Sequence, residues 1–247
     1  MNDELFIDGL GIAHGLYLVL SCLQPDEIVE YDFSWIINGG WVKDEVPLIE
    51  VEKIIVLTEG KTDAEFISKS VQMLYPHLHA YYHFIDFDGF KVEGNASALV
   101  KMIKAFAASN VKHPIIAIFD NDTAGLSEMN NILRINLPNN IKVIKLPDIP
   151  LAKKYPTIGP TGVKVQNVNG LACGIEMYLG KEILLYDNAF TPIRWRDYKD
   201  SLGQYHGVLD RKDEVQNKFR EMVKQNEKWD MAEMRILLNE MFDAFTN

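Results

Sequence analysis

The chain has 247 residues, 47% hydrophobic and 24% charged, with a formal net charge of −10. That length suits one large domain or a core domain with appendages, and the composition excludes disordered and collagen-like classes. No apolar run approaches the roughly 18 residues of a membrane span, so no membrane partner is expected.

The charge is unevenly placed. Residues 1–52 hold eleven acids and one base, Lys43, so the whole excess lies there and residues 53–247 are formally neutral. A neutral core that grips nucleic acid needs a local basic patch, a metal or a partner. The plain alternative is a solvated acidic face that keeps the chain soluble.

Residues 1–50 read as an acidic appendage, helical at first, with Gly39, Gly40 and Pro47 marking the passage into the core. The segment IDGLGIAHGLYLVLSCL resembles a signal-peptide core, but Asp3, Glu4 and Asp8 stand where basic residues would be needed. Cys22 and Cys173 offer neither a metal-knuckle spacing nor a disulfide framework. A cytoplasmic protein is expected.

From Lys53 the pattern alternates. KIIVLT (53–58) is a short buried strand ending at Glu59-Gly60, and residues 62–75 have helical spacing. AYYHFIDF (80–87) reads as a second strand, 95–108 as a helix, and PIIAIF (114–119) as a third strand ending at Asp120. Residues 123–135 form another helix and IKVIKL (141–146) a fourth strand. Strand–helix alternation with continuous apolar strands predicts an α/β fold with a parallel, Rossmann-like sheet of four strands flanked by helices. Ligands in such sheets sit beyond the carboxyl ends of the strands, where Glu59 and Asp120 fall.

Residues 147–170 read as a long loop with four prolines and three glycines. Between 142 and 164 five lysines face the single acid Asp148, which makes Lys153, Lys154 and Lys164 candidates for phosphate contact, with Lys181 a little further on. Each also reads as an ordinary solvated lysine. Two helical segments follow, 210–228 and 230–245. The stripe Met231, Met234, Leu237, Leu238, Met241, Phe245 is ordinary packing or, less commonly, a partner-binding face.

Two motifs carry chemistry. In TEGKTDAEF a glutamate on the turn after a buried strand opens a helix, with Thr62 or Asp63 suited to cap it. In FDNDTAG, Asp120 and Asp122 stand at i and i+2, so an extended backbone points both carboxylates one way. They repel unless a cation sits between them. Mg²⁺ takes such oxygen ligands and shares them with substrate phosphate. Gly125 permits close backbone approach. A second pair, Asp86 and Asp88 in FIDFDG, is either a turn or part of the same mouth. Beyond His77-x-His79, read as part of a loop, the six histidines form no metal-ligand spacing, and no Walker or dinucleotide-binding glycine motif is present.

Taken together in this order, TEGKTDAEF and FDNDTAG resemble the Toprim domain of topoisomerases, bacterial primases and the nucleases named for the overcoming-lysogenization-defect phenotype. The resemblance spans roughly residues 50–180. It implies that Glu59 corresponds to the family's glutamate and Asp120 and Asp122 to its metal-binding aspartates. Asp63 supplies the Glu-x-x-x-Asp spacing of the nuclease branch, while Asp-x-Asp-x-Ala-Gly is similar to primases. Position 124 is Ala where the topoisomerase branch has a third acid, and the zinc-binding cysteines usual in primases are absent. Glu176 is the candidate for a second metal site, or else a surface or capping glutamate.

The expectation is therefore a Toprim-type domain over 51–185, between the acidic appendage 1–50 and a mostly helical appendage 186–247. Its expected activity is Mg²⁺-dependent endonuclease action, with Mn²⁺ able to substitute, on DNA or RNA, tRNA included. Glu59, Asp120 and Asp122 would be catalytic, with Asp63 and Glu176 joining them as metal ligands. The resemblance also implies an anti-phage effector controlled by an ATPase partner. The rivals are a non-catalytic module that binds nucleic acid or nucleotide, and a primase-like polymerase.

Overall fold

A computed structural model describes residues 53–246 apart from 90 and 200–202, together with positions 17, 20–23 and 39. The chain divides into two units, Met1–Glu50 and Val51–Asn247. The second is described below. The expected helical N-terminal appendage lies outside the described residues.

The sheet begins with β1 (Ile54–Thr58), followed by α1 (Lys61–Leu74), the short α2 (Pro76–His79) and β2 (Tyr82–Phe84). Then come α3 (Ala96–Ala108), β3 (Ile115–Phe119), the two-residue β4 (Asn121–Asp122), α4 (Thr123–Ile132) and β5 (Ile141–Lys145). Four strands pair in parallel in the order β2–β1–β3–β5. The α/β class and the flanking helices agree with the sequence pattern and are compatible with a Rossmann-like fold.

The two-residue period of a strand explains the layering. Val56, Ile116 and Ile118 face one core, with Phe66, Ile67 and Val71 of α1. Leu57, Ile115, Ala117 and Phe119 face the other, with Leu99 and Ile103 of α3 and Ile132 of α4. Both faces being covered, the strands read as unbroken apolar runs. Chain order reverses at β1, whose neighbours are β2 and β3. A crevice therefore opens beyond the ends of β1 and β3.

Residues 147–170 are not the long loop expected. Leu151–Lys154 form a 3₁₀ turn, and β6 (Tyr155–Gly159) and β7 (Gly162–Gln166) make an antiparallel hairpin. Pro147, Pro150 and Pro160 lie outside the strands, and Pro156 is the second residue of β6, opposite Val165 of β7. β8 (Ala172–Cys173) pairs with β4. After α5 (Lys181–Leu184) and the small ribbon β9 (Leu185–Tyr186) and β10 (Ala189–Phe190), β11 (Ile193–Lys199) pairs in parallel with β6. β12 (Gln204–Leu209) then completes a second sheet in the order β12–β11–β6–β7.

The C-terminal segment is likewise no helical appendage. Its strands β11 and β12 belong to that second sheet. Its helices, α6 (Lys212–Lys224) and α7 (Ala232–Phe242), bury Val215, Phe219, Met234, Leu237, Leu238 and Met241 in the core beneath α1. The Phe66 and Phe219 rings lie 4.6 Å apart, and Arg220 grips Glu65 of α1 through both carboxylate oxygens. The methionine stripe is thus packing. No helix among the described residues is long and apolar enough to cross a membrane.

Candidate metal centre

β1 delivers Glu59 to the crevice. Its Oε1 accepts the backbone N–H of Asp120 at 2.9 Å, tying the end of β1 to the end of β3. α1 starts at Lys61 behind Gly60, whose N–H donates to Asp63 Oδ2 at 2.9 Å. Asp63 thus closes the turn that carries Glu59 and brings a second carboxylate beside it.

β3 delivers the aspartate pair. The chain stays extended through β4, so Asp120 and Asp122 lie on one side and Asn121 on the other. Asn121, fully buried, donates to Asp148 at 2.9 Å and accepts from the Gly170 N–H at 3.0 Å. Asp122 caps α4, its Oδ1 accepting the Gly125 N–H at 2.7 Å. Among the described residues no donor reaches the Asp120 carboxylate. A Cβ on Gly125 would lie 2.4 Å from Asp120 O and 2.7 Å from Glu59 Oε1, so this approach is open to glycine alone.

β8 delivers Glu176. Pairing with β4 sets Ala172 opposite Asp122, and Glu176 follows on a 3₁₀ turn, 2% exposed. From α6, Gln216 Nε2 donates to Glu176 Oε1 at 2.7 Å and Lys212 Nζ lies 3.2 Å from the same oxygen. A Cβ on Gly174 would lie 3.2 Å from Glu176 Oε2 and 3.6 Å from Asp120 Oδ2, so both oxygens border one small space. A cavity of about 130 Å³ opens there, lined by Asp120, Asp122, Glu176, His206 and Lys212.

Burial and crowding shape the proton equilibria. Glu59 is pushed up to about 7, first by burial, against the Asp120 N–H, and then by the charges of Asp122 and Asp63. Asp63 is also pushed up to about 7, first by burial and then by Glu176, with Lys212 partly offsetting. Asp120 is raised well above the usual carboxylate range by burial and by four neighbouring acids. Burial alone would lower Lys212, but Glu176, Asp120 and Asp63 outweigh it and hold the ammonium charged.

The five carboxylates expected to act together therefore meet in one mouth. Their all-oxygen donor set, with neither oxygen of Asp120 engaged, fits a hard divalent cation better than any soft metal. Among the described residues, no group of three His, Cys, Asp or Glu is already drawn together as a cage. Asp120, Asp122 and Glu176 line the space without closing on a point, in keeping with their mutual repulsion.

The lysines divide. Lys153 and Lys154 are exposed on the 3₁₀ turn, and Lys181 is exposed at the start of α5. None of the three lines the acidic cavity, whereas Lys164 lines a neighbouring one. Asp86 accepts the Gly89 N–H at 2.8 Å and Asp88 pairs with Lys61 at 3.2 Å, so FIDFDG is a surface turn. Three residues of this cleft are not singled out by the sequence: Lys212, Gln216 and His206. The one signal for Lys212 is a lysine in the first turn of a helix, where the dipole disfavours a cation unless acids receive it. His206 Nδ1 is buried without a hydrogen-bond partner among the described residues.

Comparison with known protein families, curated proteins and solved structures returns no match for this chain.

Proposed function

We propose that this chain is a Toprim-type, Mg²⁺-dependent endonuclease, with Mn²⁺ able to substitute. Asp120, Asp122 and Glu176 would hold the cation at the small cavity, with Glu59 and Asp63 completing its surroundings. The observation that carries this reading is the convergence of five acids at the sheet's switch point, two of them with proton affinities moved close to neutrality. Structure alone rarely tolerates so much like charge in a half-buried cleft, while catalysis at phosphates requires it. A bound divalent cation supplies an acidified water and offsets the negative charge of the phosphate.

The chain's own residues supply the rest. Glu59, oriented by the Asp120 N–H, can hold or release a proton near neutral pH. Lys212, kept charged and steered by Glu176, can meet a non-bridging phosphate oxygen as charge builds there. Gln216 holds Glu176 in position. His206 lines the same cavity, and its buried Nδ1 has no hydrogen-bond partner among the described residues.

The resemblance to nuclease-branch Toprim proteins further supports a cytoplasmic effector in anti-phage defence, switched by an ATPase partner. The chain's lack of a Walker motif and its acidic first 52 residues are consistent with that arrangement. The test is cleavage of plasmid, single-stranded DNA and total tRNA under Mg²⁺ or Mn²⁺, alone and with the partner. Loss of cleavage in Glu59→Ala and in Asp120→Ala is expected. Full activity in either variant contradicts the site, and metal binding without cleavage favours a non-catalytic module.

A further inference from the structure

Beside the acidic mouth lies a second, larger cavity of about 560 Å³, built on the second sheet and used by nothing above. Its lining includes Thr157, Lys164, Gln166, Trp195, Gln204 and Tyr205. We propose that it receives an unpaired nucleobase of a nucleic-acid strand whose neighbouring phosphate lies at the acids.

Three observations carry this. The first is position. Leu171 lines the aromatic cavity and the next residue, Ala172, the acidic one; Tyr205 and the next residue, His206, divide in the same way. The partition is one residue thick. It is pinned by Thr123, which follows Asp122 and whose one hydroxyl proton is shared between Leu171 O at 3.3 Å and Tyr205 O at 3.1 Å. A base held on one side places its own backbone on the other.

The second observation is lining chemistry. Trp195 and Tyr205 have ring centroids 6.3 Å apart, and Tyr198 stands edge-on to Tyr205 at 4.9 Å. Tyr205 is 54% exposed and Tyr198 49%, an unusual amount of aromatic surface to leave in water. In the lining, Trp195 Nε1 and Thr157 Oγ1 both donate to Gln166 Oε1, at 3.0 and 2.7 Å. That fixes the amide's orientation and leaves its NH₂ to donate to an acceptor on a base edge. Lys164 adds a cation at the rim.

The third is charge. Residues 53–247 are formally neutral and the mouth itself is acidic, so no net positive charge draws a strand in. Stacking of bases on aromatic rings supplies affinity without one, since every base has a π-face and the contact carries no charge penalty. Stacking also requires a base free of its duplex partner, which makes single-stranded or looped nucleic acid the substrate class. The placement of the scissile bond rests on the metal-site reading above, while the base pocket itself does not.

The test is binding of a labelled oligonucleotide of about ten nucleotides, a typical single-strand site size, in Ca²⁺ to suppress cleavage. Single-stranded DNA, single-stranded RNA and the matching blunt duplex are compared, the first two arms showing which sugar is preferred. We expect at least one single strand to bind about tenfold tighter than the duplex. Tyr205→Ala should weaken that binding about tenfold, the scale of one base–aromatic stack. The strand should also quench tryptophan fluorescence in the wild type and not in Trp195→Phe. Equal binding of strand and duplex, or full affinity and quenching in both variants, overturns the proposal. A wild type stabilised by Mn²⁺ but without strand preference overturns the base pocket alone. Tyr205-dependent strand binding without any Mn²⁺ effect overturns the metal site and upholds the pocket.

Discussion

The backbone N–H of Asp120 donates to Glu59 Oε1 at 2.9 Å across 61 residues of sequence. This bond joins the ends of the two central strands and, with Gly125, sets how closely the acids approach. It also has an electrostatic consequence. Glu59 is held among like charges by the amide of the residue that most needs a counter-charge.

Removing one acid from such a cluster should relieve the metal-free fold. Asp120→Asn keeps the size of the side chain and takes one ionisable carboxyl out of the cluster. We predict that in chelator the variant melts at or above the wild-type temperature. Thermal unfolding followed by circular dichroism checks this, and a fall of several degrees would mean that the Asp120 carboxylate stabilises the fold by itself.

The same crowding makes metal-free stability depend on pH. Glu59 and Asp63 sit near 7 when folded and near their ordinary values, about 4, when unfolded. Between these limits the folded state binds more protons, so raising pH removes stability. We predict that the melting temperature in chelator falls from pH 5 to pH 8. Excess Mg²⁺ should flatten or reverse that slope, because the ion binds the deprotonated acids. A metal-free curve that rises across the window would contradict the pKa directions.

Much of this site was legible in the sequence because β1 and β3 are buried on both faces. Their apolar runs stand out, and Glu59 and Asp120 are the residues that end them. The Asp120–Asp122 spacing carried its own geometry, given an extended backbone. The second sheet was hidden by its composition. Val163 and Val165 of β7 are exposed, and IRWRDYK of β11 has no apolar run, so neither strand shows a buried pattern. With that sheet unseen, Tyr205 and His206 had no place. Lys212 and Gln216 reach Glu176 from 36 and 40 residues away through packing of α6, which no local pattern encodes.

Gly125 tests the backbone side of the site. A Cβ there meets the carbonyl oxygen of Asp120 at 2.4 Å, and a backbone atom cannot swing aside. Gly125→Ala should destabilise the protein by about 1–3 kcal/mol, the usual cost of overpacking. It should also break the Glu59–Asp120 bond and with it any cleavage. Denaturant unfolding beside a cleavage assay checks both, and a wild-type result in each would show the contact to be loose.

Lys212 is the cation that sits with the acids. Its ion pair is lopsided, since the Glu176 side chain is 3% exposed and the Lys212 side chain 45%. Lys212→Met should leave a buried carboxylate with Gln216 as its remaining partner, at a cost of about 1–3 kcal/mol. The loss should appear in chelator and shrink when Mg²⁺ is added. An equal loss with and without metal would place Lys212 outside the ion's surroundings.

The most direct measurement is the melting temperature of the wild type and of Asp120→Ala/Asp122→Ala during a Mn²⁺ titration. An ion that binds only the folded state stabilises it by about 2.7 kcal/mol at one hundred times its dissociation constant. The account predicts a saturable rise in the wild type and none in the double variant. A wild type indifferent to Mn²⁺, or a double variant that rises equally, would contradict it.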